Sequence, residues 1–134
     1  MKFFFIITSL ILLGSTKENC KKRKQNVDIA VEGCYKGKLE VKGGCMNYTI
    51  SITGAGFDTS LVVASWTDEN TGKSYKNVFA LGSRCTFSET INAGDEFYFE
   101  IDNAAGQNCA VCMMYYPVPA KKLSIKVIQD PCPK

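Results

Sequence analysis

Two thiols two residues apart, Cys109-Ala110-Val111-Cys112, are the one spacing in this 134-residue chain that could carry redox catalysis. Such a pair can close a strained, readily reduced disulfide, and in thioredoxin-like proteins its first thiol is activated at a helix N-terminus that follows a strand. The surrounding residues depart from that arrangement. Gly106-Gln107-Asn108 reads as a turn, Met113-Met114-Tyr115-Tyr116 is strand-like, and no βαβ unit encloses the pair. Cys34, Cys45, Cys85 and Cys132 also need partners, so the expected role of Cys109 and Cys112 is structural, with a thiol-disulfide oxidoreductase as the alternative. Fifteen connectivities are open to six cysteines. Cys34 and Cys45 bracket what reads as a hairpin and are the favoured pair; Cys85 with either Cys109 or Cys112 follows by elimination. A four-cysteine zinc site would want a second CxxC, and the chain has none.

The chain contains no histidine, which removes Ser-His-Asp and Cys-His nucleophile pairs, histidine general bases and histidine-containing zinc sites. Hydrolysis would have to rest on carboxylates, and the best group is Glu96, Glu100 and Asp102, which share a strand face with Tyr98. Residues two apart on one face lie about 6.6–7 Å apart, a spacing compatible with the paired carboxylates of glycoside hydrolysis. Any solvent-facing side of a strand looks the same, and that is the reading adopted. Asp68-Glu69-Asn70-Thr71-Gly72 has the composition of a calcium loop but lacks the spaced carboxylates and terminal glutamate of an EF-hand, so it reads as a hairpin turn. The expectation is a protein that is not an enzyme and uses neither cofactor nor metal.

Recognition is then the remaining route to function, and it would show in aromatic residues. Tyr115-Tyr116-Pro117-Val118-Pro119 sets two tyrosines before a proline-interrupted segment that must lie at an edge or in a loop. Adjacent strand residues point to opposite faces, so one of Tyr115 and Tyr116 should be exposed. Trp66 and Tyr75 flank the expected hairpin loop in the same way. These four could form a platform for a glycan or a protein partner; core packing is the competing reading, favoured for Trp66.

The elements that would position these groups begin with a leader. Phe3 to Leu13 is an apolar run behind Lys2, of signal-peptide length and too short to span a bilayer comfortably. Cys20 follows, with Lys21-Lys22-Arg23-Lys24 behind it, and it is the odd member of seven cysteines. The stretch from Gly14 to Cys20 with its Lys-rich continuation resembles the tethers of small Gram-negative bacterial lipoproteins over about the first 25 residues. The resemblance implies lipidation at Cys20 and a membrane partner through that anchor, at the outer membrane or cell surface. Asn19 and Lys17 stand where a lipoprotein signal usually has a small and an aliphatic residue. Cleavage near Gly14, Ser15 or Thr16 is the other possibility, which would leave the protein periplasmic or extracellular.

Charge follows the same division. The chain has 16 Lys and Arg against 13 Asp and Glu, and residues 1–24 hold six of the bases and one acid, leaving 10 against 12, a formal charge of −2. The folded part therefore lacks the basic footprint that nucleic acid demands.

Residues 1–19 thus read as signal peptide, 20–26 as a basic tether and 27–134 as one domain. Period-two alternation dominates that domain: Val27, Ile29, Val31; Leu39, Val41; Tyr48, Ile50, Ile52; Phe97, Phe99, Ile101; Leu123, Ile125, Val127. Leu61 to Trp66 is a short continuous apolar run that reads as a buried strand, joined by a hairpin to a strand over Tyr75 to Leu81. Seven or eight short strands without an amphipathic helix predict an all-β fold, an antiparallel β-sandwich of immunoglobulin-like or jelly-roll-like kind, with a small β-barrel as the alternative.

Overall fold

A computed structural model describes residues 33–105 and 108–133. The leader, Cys20, the tether, the expected strand over 27–31 and the turn residues Gly106 and Gln107 lie outside the described residues. Seven strands form: β1 (Cys34–Lys42), β2 (Tyr48–Ile52), β3 (Val63–Thr67), β4 (Ser74–Leu81), β5 (Glu96–Ile101), β6 (Lys122–Leu123) and β7 (Ile125–Ile128). Short 3₁₀ turns occupy Gly44–Met46, Thr59–Leu61 and Arg84–Thr86, and no α-helix is present among the described residues.

The fold is all-β and mostly antiparallel, as the alternation predicts. The strands follow the order β3-β4-β2-β1-β5-β7, with β6 parallel to β4 and the sheet not closed into a barrel. β4 and β5 stand three strand spacings apart along that order, about 14 Å in a flat sheet. Their Phe79 and Phe99 rings are nevertheless 6.0 Å apart between centroids, so the sheet curls over and packs its inner face against itself.

Each strand's pattern explains its place. In β1 the buried positions are Tyr35, Gly37, Leu39 and Val41, alternating with less buried Lys36, Lys38, Glu40 and exposed Lys42. Gly37 permits this packing, because a Cβ there would stand 3.0 Å from the Phe99 ring and 3.2 Å from Ile50. β5 alternates as expected, with Phe97 and Phe99 buried and Glu96 and Glu100 exposed. Phe99 is the centre of the core: the rings of Tyr35, Phe57, Phe79 and Phe97 lie 5.8, 6.4, 6.0 and 6.0 Å from it. Phe97 continues the cluster edge-on to Phe87 at 5.4 Å, and Phe87 to Tyr48 at 5.8 Å. Aromatic pairs at such distances add about 0.5–1.5 kcal/mol each beyond the area they bury.

β4 is divided at Asn77, whose φ of 51° lies in the left-handed region. Asparagine tolerates that conformation better than most residues. Beyond it Val78 to Leu81 are buried, whereas Ser74, Lys76 and Asn77 are exposed and Tyr75 is half-buried. The first half of β4 therefore forms an arm with β3, in the register Val63 to Val78 and Trp66 to Tyr75. This corrects the expectation of a buried strand over Leu61 to Trp66: Val62 is buried, but Ala64 and Ser65 are exposed, because β3 is an edge strand with β4 as its one hydrogen-bonded neighbour among the described residues. The connection Thr67 to Ser74 is the expected hairpin.

The single last strand expected around Leu123 to Val127 is divided at Ser124 into β6 and β7. Leu123 O accepts from Gly82 N beside β4, while Ser124 O accepts from Asp102 N after β5. Buried Ser83 Oγ donates to Ile125 O at 2.6 Å and accepts from Ile125 N at 2.9 Å, which fixes the crossing point. Met113 to Tyr116, expected to be strand-like, carry no regular structure. Two prolines follow at once, and Pro117 and Pro119 are buried without ladder pairing.

Candidate functional site

Three disulfides join the six described cysteines: Cys34–Cys132, Cys45–Cys112 and Cys85–Cys109, with Cα separations of 5.3, 5.2 and 5.5 Å. The favoured pairing of Cys34 with Cys45 does not occur. β1 runs extended from Cys34 to Lys42, so its ends are about 26 Å apart at 3.3 Å per residue, beyond the roughly 7 Å limit for a bridge. Cys45 lies past the far end of that strand, in the turn that leads into β2. Cys85 pairs with Cys109, one of its two expected partners. Cys109 and Cys112 are not bonded to each other; each holds the chain to a different turn, Arg84–Thr86 and Gly44–Met46.

Those two bridges clamp the segment that carries the most exposed apolar side chains described. Met113 is 102% exposed, Tyr115 84% and Met114 58%. The clamp is polar as well as covalent. Buried Asn47 donates from Nδ2 to Gly44 O at 2.9 Å and to Met114 O at 3.1 Å, and its Oδ1 accepts from Arg84 Nη2 at 3.0 Å. One side chain thus ties both turns to the apolar segment. Gly43 and Gly44 let the segment lie close: a Cβ at Gly43 would stand 2.9 Å from the Tyr116 ring, and one at Gly44 2.7 Å from Met114 Sδ. Past the tip, Pro117 and Pro119 are buried and Lys121 O accepts from Ala80 N at 2.8 Å.

Of the two tyrosines, Tyr115 is the exposed one and Tyr116 is half-buried. Trp66 and Tyr75 form a stacked cross-strand pair, 6.1 Å between centroids and 23° between planes, with Lys73 Nζ 5.5 Å from the Tyr75 ring centre. Both rings are half-buried, so Trp66 is neither a core residue nor freely displayed. Burial raises the Tyr75 pKa above the ordinary tyrosine value, and the negative charges of Glu40 and Asp68 add to it. Trp66 and Tyr75 form one pair, Tyr116 lies against Gly43, and Tyr115 stands out in solvent with the two methionines.

The carboxylate group resolves differently. Glu96 Oε2 pairs with Lys36 Nζ at 2.6 Å, and this hydrogen bond raises the Lys36 pKa. Asp102 Oδ1 accepts from Ala104 N at 3.0 Å in a turn. Asp68 is fully buried in the hairpin loop, where its carboxylate takes Asn70 N at 3.0 Å and Thr71 Oγ1 at 2.8 Å. Among the described residues no group of three His, Cys, Asp or Glu side chains is placed to hold a metal ion. No helix among them is long and apolar enough to cross a membrane.

Sequence reasoning reached Tyr115 and missed Met113, Met114, Asn47 and Arg84. The signal available was two large apolar residues next to a cysteine in a stretch ended by prolines, a combination that burial alone does not explain. The geometry defines a class, a disulfide-bonded all-β domain carrying a clamped apolar tip. No family model, curated protein or solved structure matches the chain.

Proposed function

We propose that this chain is an exported, non-enzymatic binding module, held to a bacterial envelope through a lipid on Cys20, which presents Met113, Met114 and Tyr115 to a protein partner. The observation that carries this reading is the exposure of those three side chains on a segment fixed by two disulfides and Asn47. Free apolar side chains on a mobile loop would lose entropy on binding, about 0.5–1.5 kcal/mol for each flexible side chain ordered; a clamped backbone reduces the ordering that remains. Methionine adapts to uneven surfaces and tyrosine combines apolar area with a polar end, which suits both to protein recognition. The described chain enters the sheet at the Cys34 end of β1, while the tip is bonded to the turn past the other end. Three disulfides are compatible with an oxidising compartment.

A photo-crosslinking amino acid placed at 113 or 115 in the native envelope tests this. Both positions should join the protein to one defined partner, a control at exposed Glu69 should not, and Met114→Ser should reduce the yield. Equal labelling at all three positions, or none from the tip, removes the proposal. Intact mass of the mature protein tests the anchor, since a Cys20 bearing only a free thiol removes that part.

A further inference from the structure

A groove of about 520 Å³ opens between β5, β7 and the connection that follows Cys85, and it shares no residue with the tip. Its polar lining includes Ser88, Thr90, Glu96 and Tyr98, and its apolar lining includes Phe97 and Val127. The volume lies in the range of small-molecule sites, which commonly combine an apolar surface with a few polar groups that fix orientation.

The polar groups select a ligand chemistry. Ser88 Oγ and Thr90 Oγ1 share a hydrogen bond of 2.7 Å, which uses one of their two protons and leaves a second donor and further lone pairs available. Glu96 is neutralised by Lys36 at 2.6 Å, and both side chains are partly exposed, 47% and 36%. Tyr98 is the cross-strand partner of Lys36 and lies on the same face as this pair. An anion would be repelled by the Glu96 carboxylate and a cation would find that carboxylate already paired with Lys36, whereas a neutral hydroxyl can donate to it. Hydrogen bonds from neutral groups to charged ones are the stronger kind. Half-buried Ile91, Val127 and Ile128 in the same lining offer apolar surface to carbon-bound hydrogens. We infer that this groove binds a neutral mono- or disaccharide through Ser88, Thr90, Glu96 and Tyr98.

The test is amide NMR on the full disulfide-bonded protein, titrated with maltose, cellobiose and N,N′-diacetylchitobiose, and with sulfate as a charged control. At about 10 mM, at least one disaccharide should shift the amides of residues 88–91, 96–98 and 127–129 while sulfate leaves them in place. Tyr98→Ala and Thr90→Ala should each weaken that affinity roughly tenfold, the effect of one lost hydrogen bond, and Met113→Ser should not change it. If Tyr98→Ala does not fold, Thr90→Ala and Glu96→Gln, both at exposed positions, decide the matter. No shift with any of the three sugars, equal shifts with sulfate, or undiminished binding in the variants overturns the inference. Loss of partner crosslinking at the tip would not affect it, because the two sites share no lining residue.

Discussion

Phe99 and Tyr115 are both large aromatic residues, yet one is completely buried among four other rings and the other is 84% exposed between a disulfide and a proline. The inner face of the sheet is held by burial: Tyr35, Leu39, Ile50, Phe79 and Ile125 surround Phe99 in one cluster. The segment 108–116 has no strand pairing and keeps its largest apolar groups in water, so burial cannot hold it. Two of the three disulfides occur there, closing separations of 67 and 24 residues. Cross-links are placed where the hydrophobic effect has nothing to act on, and the tip's position is thereby independent of its own side chains.

The largest expected effect is on the buried side. Phe99→Ala should cost about 3–5 kcal/mol in urea unfolding with the disulfides intact, because it leaves a cavity touching β1, β4 and β5 at once. A loss below about 1 kcal/mol would mean that the cross-links rather than the ring cluster hold the sheet, and the contrast would fail. Next in size is the paired substitution Cys45→Ala with Cys112→Ala. Chain-entropy reasoning assigns such a bridge about 4 kcal/mol, and 2–4 kcal/mol is the usual range. Backbone mobility in NMR relaxation should rise at 113–116 while the amides of β1, β2 and β5 retain their hydrogen-exchange protection. Loss of protection in the sheet would show that the two regions are one cooperative unit.

The buried region was the part legible in the sequence. Alternation at Leu39 and Val41 and at Phe97 to Ile101 placed β1 and β5, because a half-buried strand writes its two faces into every second residue; Tyr48 to Ile52 is a strand as expected but not a half-buried one, since β2 lies between β1 and β4 and its Thr49 and Ser51 are buried along with Tyr48 and Ile50. Leu61 to Trp66 misled for a physical reason: an apolar run indicates a strand without indicating how many neighbours it has, and Asn77 turns the β3–β4 arm out of the core. The clamp was least legible. Pairing Cys34 with Cys45 treated sequence proximity as spatial proximity, whereas the intervening residues are one extended strand. The bridges that form span 98, 67 and 24 residues and depend on how the sheet curls, which no local pattern records.

Two neighbouring buried polar residues sharpen the contrast at the smallest scale. Asn47, in the clamp, has both amide donors and its carbonyl acceptor satisfied. Thr49, two residues on in β2, is fully buried and its Oγ1 has no hydrogen-bond partner among the described residues. Removing a satisfied group strands its partners, at about 1–3 kcal/mol, whereas replacing an unsatisfied hydroxyl by a methyl of the same shape removes a desolvation cost without breaking a bond. Asn47→Ala should therefore destabilise by about 1–3 kcal/mol and free the Met114 carbonyl, with increased backbone mobility confined to the tip. Thr49→Val should stabilise by up to about 1 kcal/mol, helped by valine's fit to a strand, with the tip unchanged. Opposite signs in urea unfolding are the expected result. Destabilisation by both would mean that the Thr49 hydroxyl is satisfied in solution and that the sheet, like the clamp, depends on its polar contacts.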